Sequence, residues 1–493
     1  MISDLRRAAS QAQLGSNGVA GISVRDANSG AIIFESNADT PLAPASNQKL
    51  LTSAAAVMIL GPDFTYTTEI TPTNDGRVAL IGSGDPGFGD PEILEELSPP
   101  LDPDSALDAF AAAAAERIES ASQLVVDDRV FDRELIHPDW PRDQLERWYC
   151  APVQGVNIHA NVIAFYPAPS RGAVSAPTQP QARFIDITDR ARVIDDGDNA
   201  VWIQRSQNDS EFTIRGSIRT RMQAPIEVSL HEPSLVAGKL IAERLDAAGL
   251  EVGDAEPADA VRLVADDEAL DLAAQPAARW VTPLDDILYR CNHDSMNLHA
   301  EALLKTIGRA VTGEQGSWTN GIAVLRMLLA EMLDPSAVAG TIIRDGSGLS
   351  RNNRIAAGTL AAWLVETRRD PDIARMYRET LPTADGKLSR RFRFAGLDNQ
   401  VHAKTGTINH VRALSGFVTD PETGRAAAFS ILCNGLTTGQ SVRAAYSLQA
   451  AIVEAIDDNM RDLSLPVAPP DANPSTRPAS NPAPTTQPEP RPR

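Results

Sequence analysis

Ser46 and Lys49 stand three residues apart at the head of an apolar run, and that spacing can do acyl-transfer chemistry. A serine hydroxyl attacks a carbonyl only when a base takes its proton, and a lysine whose pKa is lowered by burial is such a base. Residues i and i+3 of a helix share a face, so the amine can reach the hydroxyl. The free N–H groups at a helix N-terminus suit an oxyanion as well. Alone the pair is weak, because a capping serine followed by a solvated lysine gives the same spacing.

Two further clusters add to it. Lys404-Thr405-Gly406 closes a short apolar strand pattern and is followed by Thr407. A glycine there lets a substrate backbone lie close to the strand, and the lysine can attract a carboxylate. Ser295-Met296-Asn297 opens a helical pattern, where Ser295 can relay a proton and the Asn297 amide can hold a carbonyl. Each cluster has an ordinary reading, a hairpin or an N-cap. In this order, on two helix starts and one strand end, the three form the set S-x-x-K, S-x-N and K-T-G of penicillin-recognising serine enzymes.

The sequence resembles the class C, low-molecular-mass penicillin-binding proteins, a D-alanyl-D-alanine carboxypeptidase and endopeptidase family. About 250 residues separate Ser46 from Ser295, a gap suited to that family's inserted domains. Gly82-Ser-Gly-Asp-Pro86, Tyr149-Cys-Ala-Pro-Val-Gln-Gly-Val-Asn157, Asp345-Gly-Ser-Gly-Leu-Ser350 and His402-Ala-Lys-Thr-Gly-Thr407 also match. The resemblance implies that Ser46 is the acylated nucleophile and Lys49 its base, with Ser295 and Lys404 assisting proton transfer. By the same likeness Asn297, Thr405, Gly406 and Thr407 bind substrate, the N–H groups of Ser46 and Thr407 form the oxyanion hole, and Arg351 faces the free end of the peptide stem. Met296 departs from the commoner Asp or Ser. Peptidoglycan peptides and β-lactams are the implied ligands, and an extracytoplasmic site the implied location. Met1 to Gly15 nevertheless lacks the apolar core of a secretory signal.

The elements that must position these residues follow from periodicity. Apolar positions 50, 51, 54, 57 and 58 predict a helix from Lys49 to Leu60, stopped by Gly61-Pro62. Strands are expected at Gly18–Asp26 and Ala31–Glu35, and again at Val401–Lys404, Val411–Thr419 and Ala426–Cys433. Helices are expected at Pro283–Cys291, Met296–Ile307, Ile322–Met332, Ala356–Thr367 and Ser441–Ile456. Strands from both chain ends then form one layer, and the resemblance makes this an α+β fold, helices around an antiparallel sheet with large β-rich insertions. The expected division is a catalytic domain of 1–62 and 276–464, a first insertion of 63–170 and 231–275, and a nested β-rich unit of 171–230. Residues 465–493, rich in Pro, Ser and Thr, read as a disordered tail.

Bulk properties narrow the classes. Lys and Arg number 45 against 65 Asp and Glu, a net charge of −20 that argues against nucleic acid and anionic lipid as partners. No apolar stretch reaches the length of a membrane span. Cys150, Cys291 and Cys433 form no C-x-x-C pair and read as buried hydrophobes. Ser–Lys chemistry is self-contained, so no metal or organic cofactor is expected. Gly82-Ser-Gly84-Asp-Pro-Gly87 fits G-x-G-x-x-G, but Pro86 bars the helix a dinucleotide site needs. His293 and His299 fit no common zinc spacing and read as surface or satisfied polar groups. Asp127-Asp128 and Asp195-Asp196 read as solvated charges. The rivals at this point are a β-lactamase or esterase on the same scaffold, and a catalytically silent wall-binding protein.

Overall fold

Residues 1–206, 211–253, 260–390, 392 and 396–465 are described by a computed structural model. The tail expected at 465–493 lies outside the described residues from position 466 onward.

Two strands from the N-terminal end and three from the C-terminal end, each set paired locally, are joined into one sheet by a single long-range pairing. The sheet order is Gln400–Ile408, Val411–Thr419, Ala426–Asn434, Val19–Asp26 and Ile32–Ser36, antiparallel throughout. The N-terminal strand Val19–Asp26 is interior to the sheet, with Ala426–Asn434 on one side, where Val19 pairs with Asn434 and Asp26 with Ala427, and Ile32–Ser36 on the other. Both faces are buried. Ile22, Val24, Leu414 and Val418 meet Leu448 and Ile452 of the helix Gly439–Asp457 and Leu5 of the helix Ile2–Gln11. Ala413, Phe417 and Ala428 face a helical core that holds Leu50, Leu51, Leu303, Leu360 and Trp363. Helices around an antiparallel sheet are therefore the observed α+β architecture.

The Lys49 helix spans Lys49–Leu60 as expected, with its first nine residues buried. Other helices fall close to their expected places, at Leu284–Asn292, Asn297–Thr312, Trp318–Met332 and Ala357–Arg368. Pro371–Thr380 is an additional helix, capped by the Asp370 carboxylate on the N–H groups of Asp372 and Ile373.

Between the Lys49 helix and the Leu284 helix the chain builds a second sheet. Its order is Val261–Leu263, Leu124–Asp127, Val78–Gly82, Thr65–Pro72 and Ala278–Pro283. Ala278–Pro283, within the 276–464 segment, pairs with Thr65–Pro72. A separate three-stranded sheet orders Asp186–Val193, Glu211–Ile218 and Ala200–Arg205. Phe131, Trp140, Cys150 and Val153 join the core of the Lys49 helix rather than that of the second sheet.

One expectation about polar groups is corrected. Asp128 is buried and ion-paired with Arg133 at 2.7 Å, not solvated. His299 is fully buried, its Nε2 standing 3.2 Å from Asp90 Oδ2. All three cysteines are free and buried.

Candidate active site

Ser46 lies on a tight 3-10 turn, Ala45–Gln48, that runs straight into the Lys49 helix. Ala45 takes a left-handed φ of 49°, an unusual choice for alanine that lifts the next residue out of the helical path. Ser46 is half-buried and opens on a cleft of about 1110 Å³. Ser295, Asn297, Arg351, Lys404, Thr405 and Thr407 line the same cleft. Three segments far apart in the chain thus meet where the motifs require it. Gly406, expected among the substrate-binding residues, does not line the cleft.

Lys49 is fully buried, and its Nζ has three neighbours. Asn297 Oδ1 accepts at 2.6 Å and the Ser347 carbonyl at 2.9 Å, while Ser46 Oγ stands at 3.4 Å. The two short contacts go to groups that only accept. A neutral amine has two N–H bonds and one lone pair, so those acceptors take both hydrogens and leave the lone pair toward Ser46. Burial pushes the Lys49 pKa down from 10.5 to about 8, against the pull of the Cys291 thiol and of the Glu301 and Asp345 carboxyls. Lys404, also buried, is pushed well below 10.5 by burial first and by the neighbouring Lys49 second.

The carbonyl of Ser347 is itself held. Glu301 Oε1 accepts from Ser347 N at 2.8 Å, and Oε2 accepts from Gly346 N at 2.9 Å and from Trp318 Nε1 at 2.8 Å. Asp345 accepts from the N–H groups of Gly348 and Ser350, from Asn353 Nδ2 and from Trp140 Nε1. The Asp345–Ser350 stretch is therefore a rigid loop whose backbone presents an acceptor to Lys49. Burial and the neighbouring Asp345 raise the Glu301 pKa to about 7. Sequence reasoning missed Glu301, although it follows Asn297 by four positions and so shares its helix face.

Two placements differ from expectation. Ser295 does not begin the helix. Asn297 is the first helical residue, Met296 holds the cap position, and Ser295 precedes both with a left-handed φ of 65°. Lys404 does not end its strand, which continues through Thr405-Gly406-Thr407 to Ile408 at the edge of the sheet. Gly406 is needed there for a reason inside the protein. A Cβ on it would meet the Pro44 carbonyl at 2.8 Å and Asn47 Oδ1 at 3.0 Å, so the strand is pressed against the Ser46 turn. Asn47 Nδ2 donates to Ser415 Oγ on the adjoining strand at 2.6 Å and ties the two together.

The Asn297 amide is engaged at both ends, since Nδ2 donates to the Tyr149 carbonyl at 2.8 Å. Arg351 is exposed at the cleft rim. Beyond the motifs the cleft is lined by Trp148 and Tyr149 on one side, and by His410, Arg412, Thr438 and Val442 on another.

Comparison with known proteins agrees with this geometry. The D-alanyl-D-alanine carboxypeptidase of Actinomadura sp. (strain R39) is 30% identical over 450 residues, covering 85% of this chain and 78% of the relative. The D-alanyl-D-alanine carboxypeptidase DacB of Haemophilus influenzae is 25% identical over 439 residues, covering 85% of this chain and 86% of that one. The crystal structure of penicillin binding protein 4 from Haemophilus influenzae superposes with a TM-score of 0.71 at 23% identity, over 93% of this chain and 99% of the other. The D-Ala-D-Ala carboxypeptidase 3 (S13) family matches residues 2–457. A Ser–Lys site on this fold, matched almost end to end, places the chain in the D-Ala-D-Ala carboxypeptidase 3 (S13) family.

Proposed function

We propose that the protein is a serine D-alanyl-D-alanine carboxypeptidase acting on peptidoglycan stem peptides through an acyl-enzyme on Ser46. The observation that carries this reading is the Lys49 amine. It is buried, its pKa is brought down to about 8, and its two short contacts are spent on acceptors beside the Ser46 hydroxyl.

In the first step Lys49 takes the proton of Ser46 as Oγ bonds to the carbonyl carbon between the two terminal D-alanines. The N–H groups of Ser46 and Thr407 receive the oxyanion. The C–N bond then breaks, and Ser295 with Lys404 returns a proton to the departing amine. Water, deprotonated by the same base, attacks the ester, releases the shortened peptide and restores Ser46. Thr405 and Thr407 on the edge strand and the second hydrogen of Asn297 Nδ2 bind the peptide, while Arg351 faces the far end of the stem. Gly406 lets this strand lie against the Ser46 turn. A β-lactam follows the first half and remains attached.

Endopeptidase cleavage of cross-linked peptides is the second activity. The cleft continues past Thr407 to His410, Thr438 and Val442, giving room for a leaving group larger than D-alanine. The substrate places the enzyme in the cell envelope. Among the described residues no helix is long and apolar enough to cross a membrane.

Intact-mass measurement after incubation with labelled penicillin tests the assignment. The parent protein gains one adduct and Ser46→Ala gains none. An adduct that persists in Ser46→Ala, or none on the parent, overturns it. D-alanine release from a pentapeptide, set beside cleavage of a cross-linked dimer, separates the two activities.

A further inference from the structure

The glycine-rich stretch Gly82–Asp90, which imitates a phosphate-binding spacing, has a different use. It leaves the second sheet as a loop that internal bonds make rigid. Asp85, fully buried, accepts from Gly87 N at 2.8 Å and from Thr282 Oγ1 at 2.6 Å. Asn157 Nδ2 donates to the carbonyls of Gly84 and Asp85, each at 3.3 Å. The loop delivers Asp90, buried, to the helices that carry the active-site motif.

There Asp90 Oδ2 accepts from Arg290 Nε at 3.1 Å, and Arg290 Nη1 donates to Asp294 Oδ2 at 2.6 Å. The other oxygen of Asp294 accepts from Lys387 Nζ at 3.0 Å and lies 3.0 Å from His293 Nδ1. On the far side of Ser295, Met296 N donates to the Arg290 carbonyl at 3.0 Å. Arg290 therefore grips both neighbours of Ser295, the residue whose left-handed φ of 65° turns it into the cleft. A non-glycine residue keeps such a conformation only where its surroundings over-determine it. Arg290 has its own charge neutralised in a buried setting by Asp90.

We propose that Asp90 is a positioning residue for Ser295, acting through Arg290 and Asp294, so that the inserted region holds the proton-relay turn of the catalytic domain in place. This rests on the reading of Ser295 as the group that protonates the leaving amine. The relay is selective by nature. An amide nitrogen must be protonated to leave, whereas a thiolate leaves unaided, so a misplaced Ser295 slows peptide cleavage and spares a thioester with the same acyl group.

The test compares kcat/KM for a D-alanyl-D-alanine peptide and for the matching thioester in the full-length protein and its Asp90→Asn, Asp294→Asn and Ser295→Ala variants. Asp294→Asn breaks the same chain at the link next to Ser295 and serves where Asp90→Asn does not fold. The expected result is an amide rate lowered about 10- to 100-fold in the two relay variants, with the thioester rate within about threefold of the parent. Ser295→Ala shows the same selectivity more deeply. Equal loss on both substrates, or loss on neither, in the relay variants while Ser295→Ala stays selective overturns the role of Asp90 alone. A Ser295→Ala variant without selectivity overturns the reading of Ser295, and the inference with it.

Discussion

The carbonyl oxygen of Ala45 fills the space where a side chain on Gly348 would begin, 1.8 Å from the position a Cβ would take. Gly348 has a φ of 83° and Ala45 one of 49°, so two left-handed residues from distant parts of the chain are packed back to back beneath Ser46. Gly348→Ala forces one of them to move, and a displaced Ser46 loses its approach to the carbonyl. Penicillin acylation, followed by intact mass, should fall at least about tenfold in this variant while its circular dichroism spectrum stays folded.

Acylation should depend on pH through Lys49. Its amine must be neutral to accept the Ser46 proton, and its pKa lies at about 8 instead of 10.5. About a tenth of the protein is then competent at pH 7, against less than about a thousandth for an ordinary lysine. The acylation rate should rise roughly tenfold per pH unit below the inflection and level off above it. A stopped-flow profile with a chromogenic β-lactam reads the inflection, and Lys49→Arg should abolish the reaction.

Glu301→Gln should slow acylation and also move that inflection. Both oxygens of Glu301 accept backbone N–H groups, and a glutamine must turn an NH2 toward one of them. The Ser347 carbonyl then loosens its hold on Lys49. The carboxylate also helps to raise the lysine pKa against burial, so its removal should shift the inflection below the parent value. A variant that is slower with an unmoved inflection would show that Glu301 acts on packing alone.

Gly406→Ala should part the edge strand from the Ser46 turn. The new methyl meets Pro44 and Asn47 on one side and Ala413 Cβ, at 3.0 Å, on the other. Overpacking of this kind costs about 1–3 kcal/mol. Thermal unfolding should therefore begin a few degrees earlier, and β-lactam acylation should drop by about tenfold or more.

The legible parts of the sequence were those set by local pattern. The Lys49 helix shows its apolar positions and its Gly61-Pro62 stop, and both bounds agree with the structure. The five strands of the main sheet are each apolar enough to read singly, yet nothing local says that Val19–Asp26 pairs with Ala426–Asn434. The left-handed Ser295 was hidden because serine is an ordinary cap, and only Arg290, reaching both of its neighbours, reveals the turn. The Pro371–Thr380 helix had visible signals in the Asp370-Pro371 start and in Ile373, Met376, Tyr377 and Thr380. Its many charges masked them. Glu301 was legible as a neighbour of Asn297 but not as a partner of Gly346 and Ser347, because loop position is a tertiary fact.

The interior strand Val19–Asp26, paired early with Ile32–Ser36, waits for its second partner, made about 400 residues later. During synthesis Ser46 and Lys49 leave the ribosome early, and Ser295 and Lys404 follow, yet the sheet beneath them has a gap until Ala426–Asn434 emerges. Pairing over so long a separation is slow to find. The floor of the cleft is thus a long-range closure, complete only when segments about 400 positions apart have found each other.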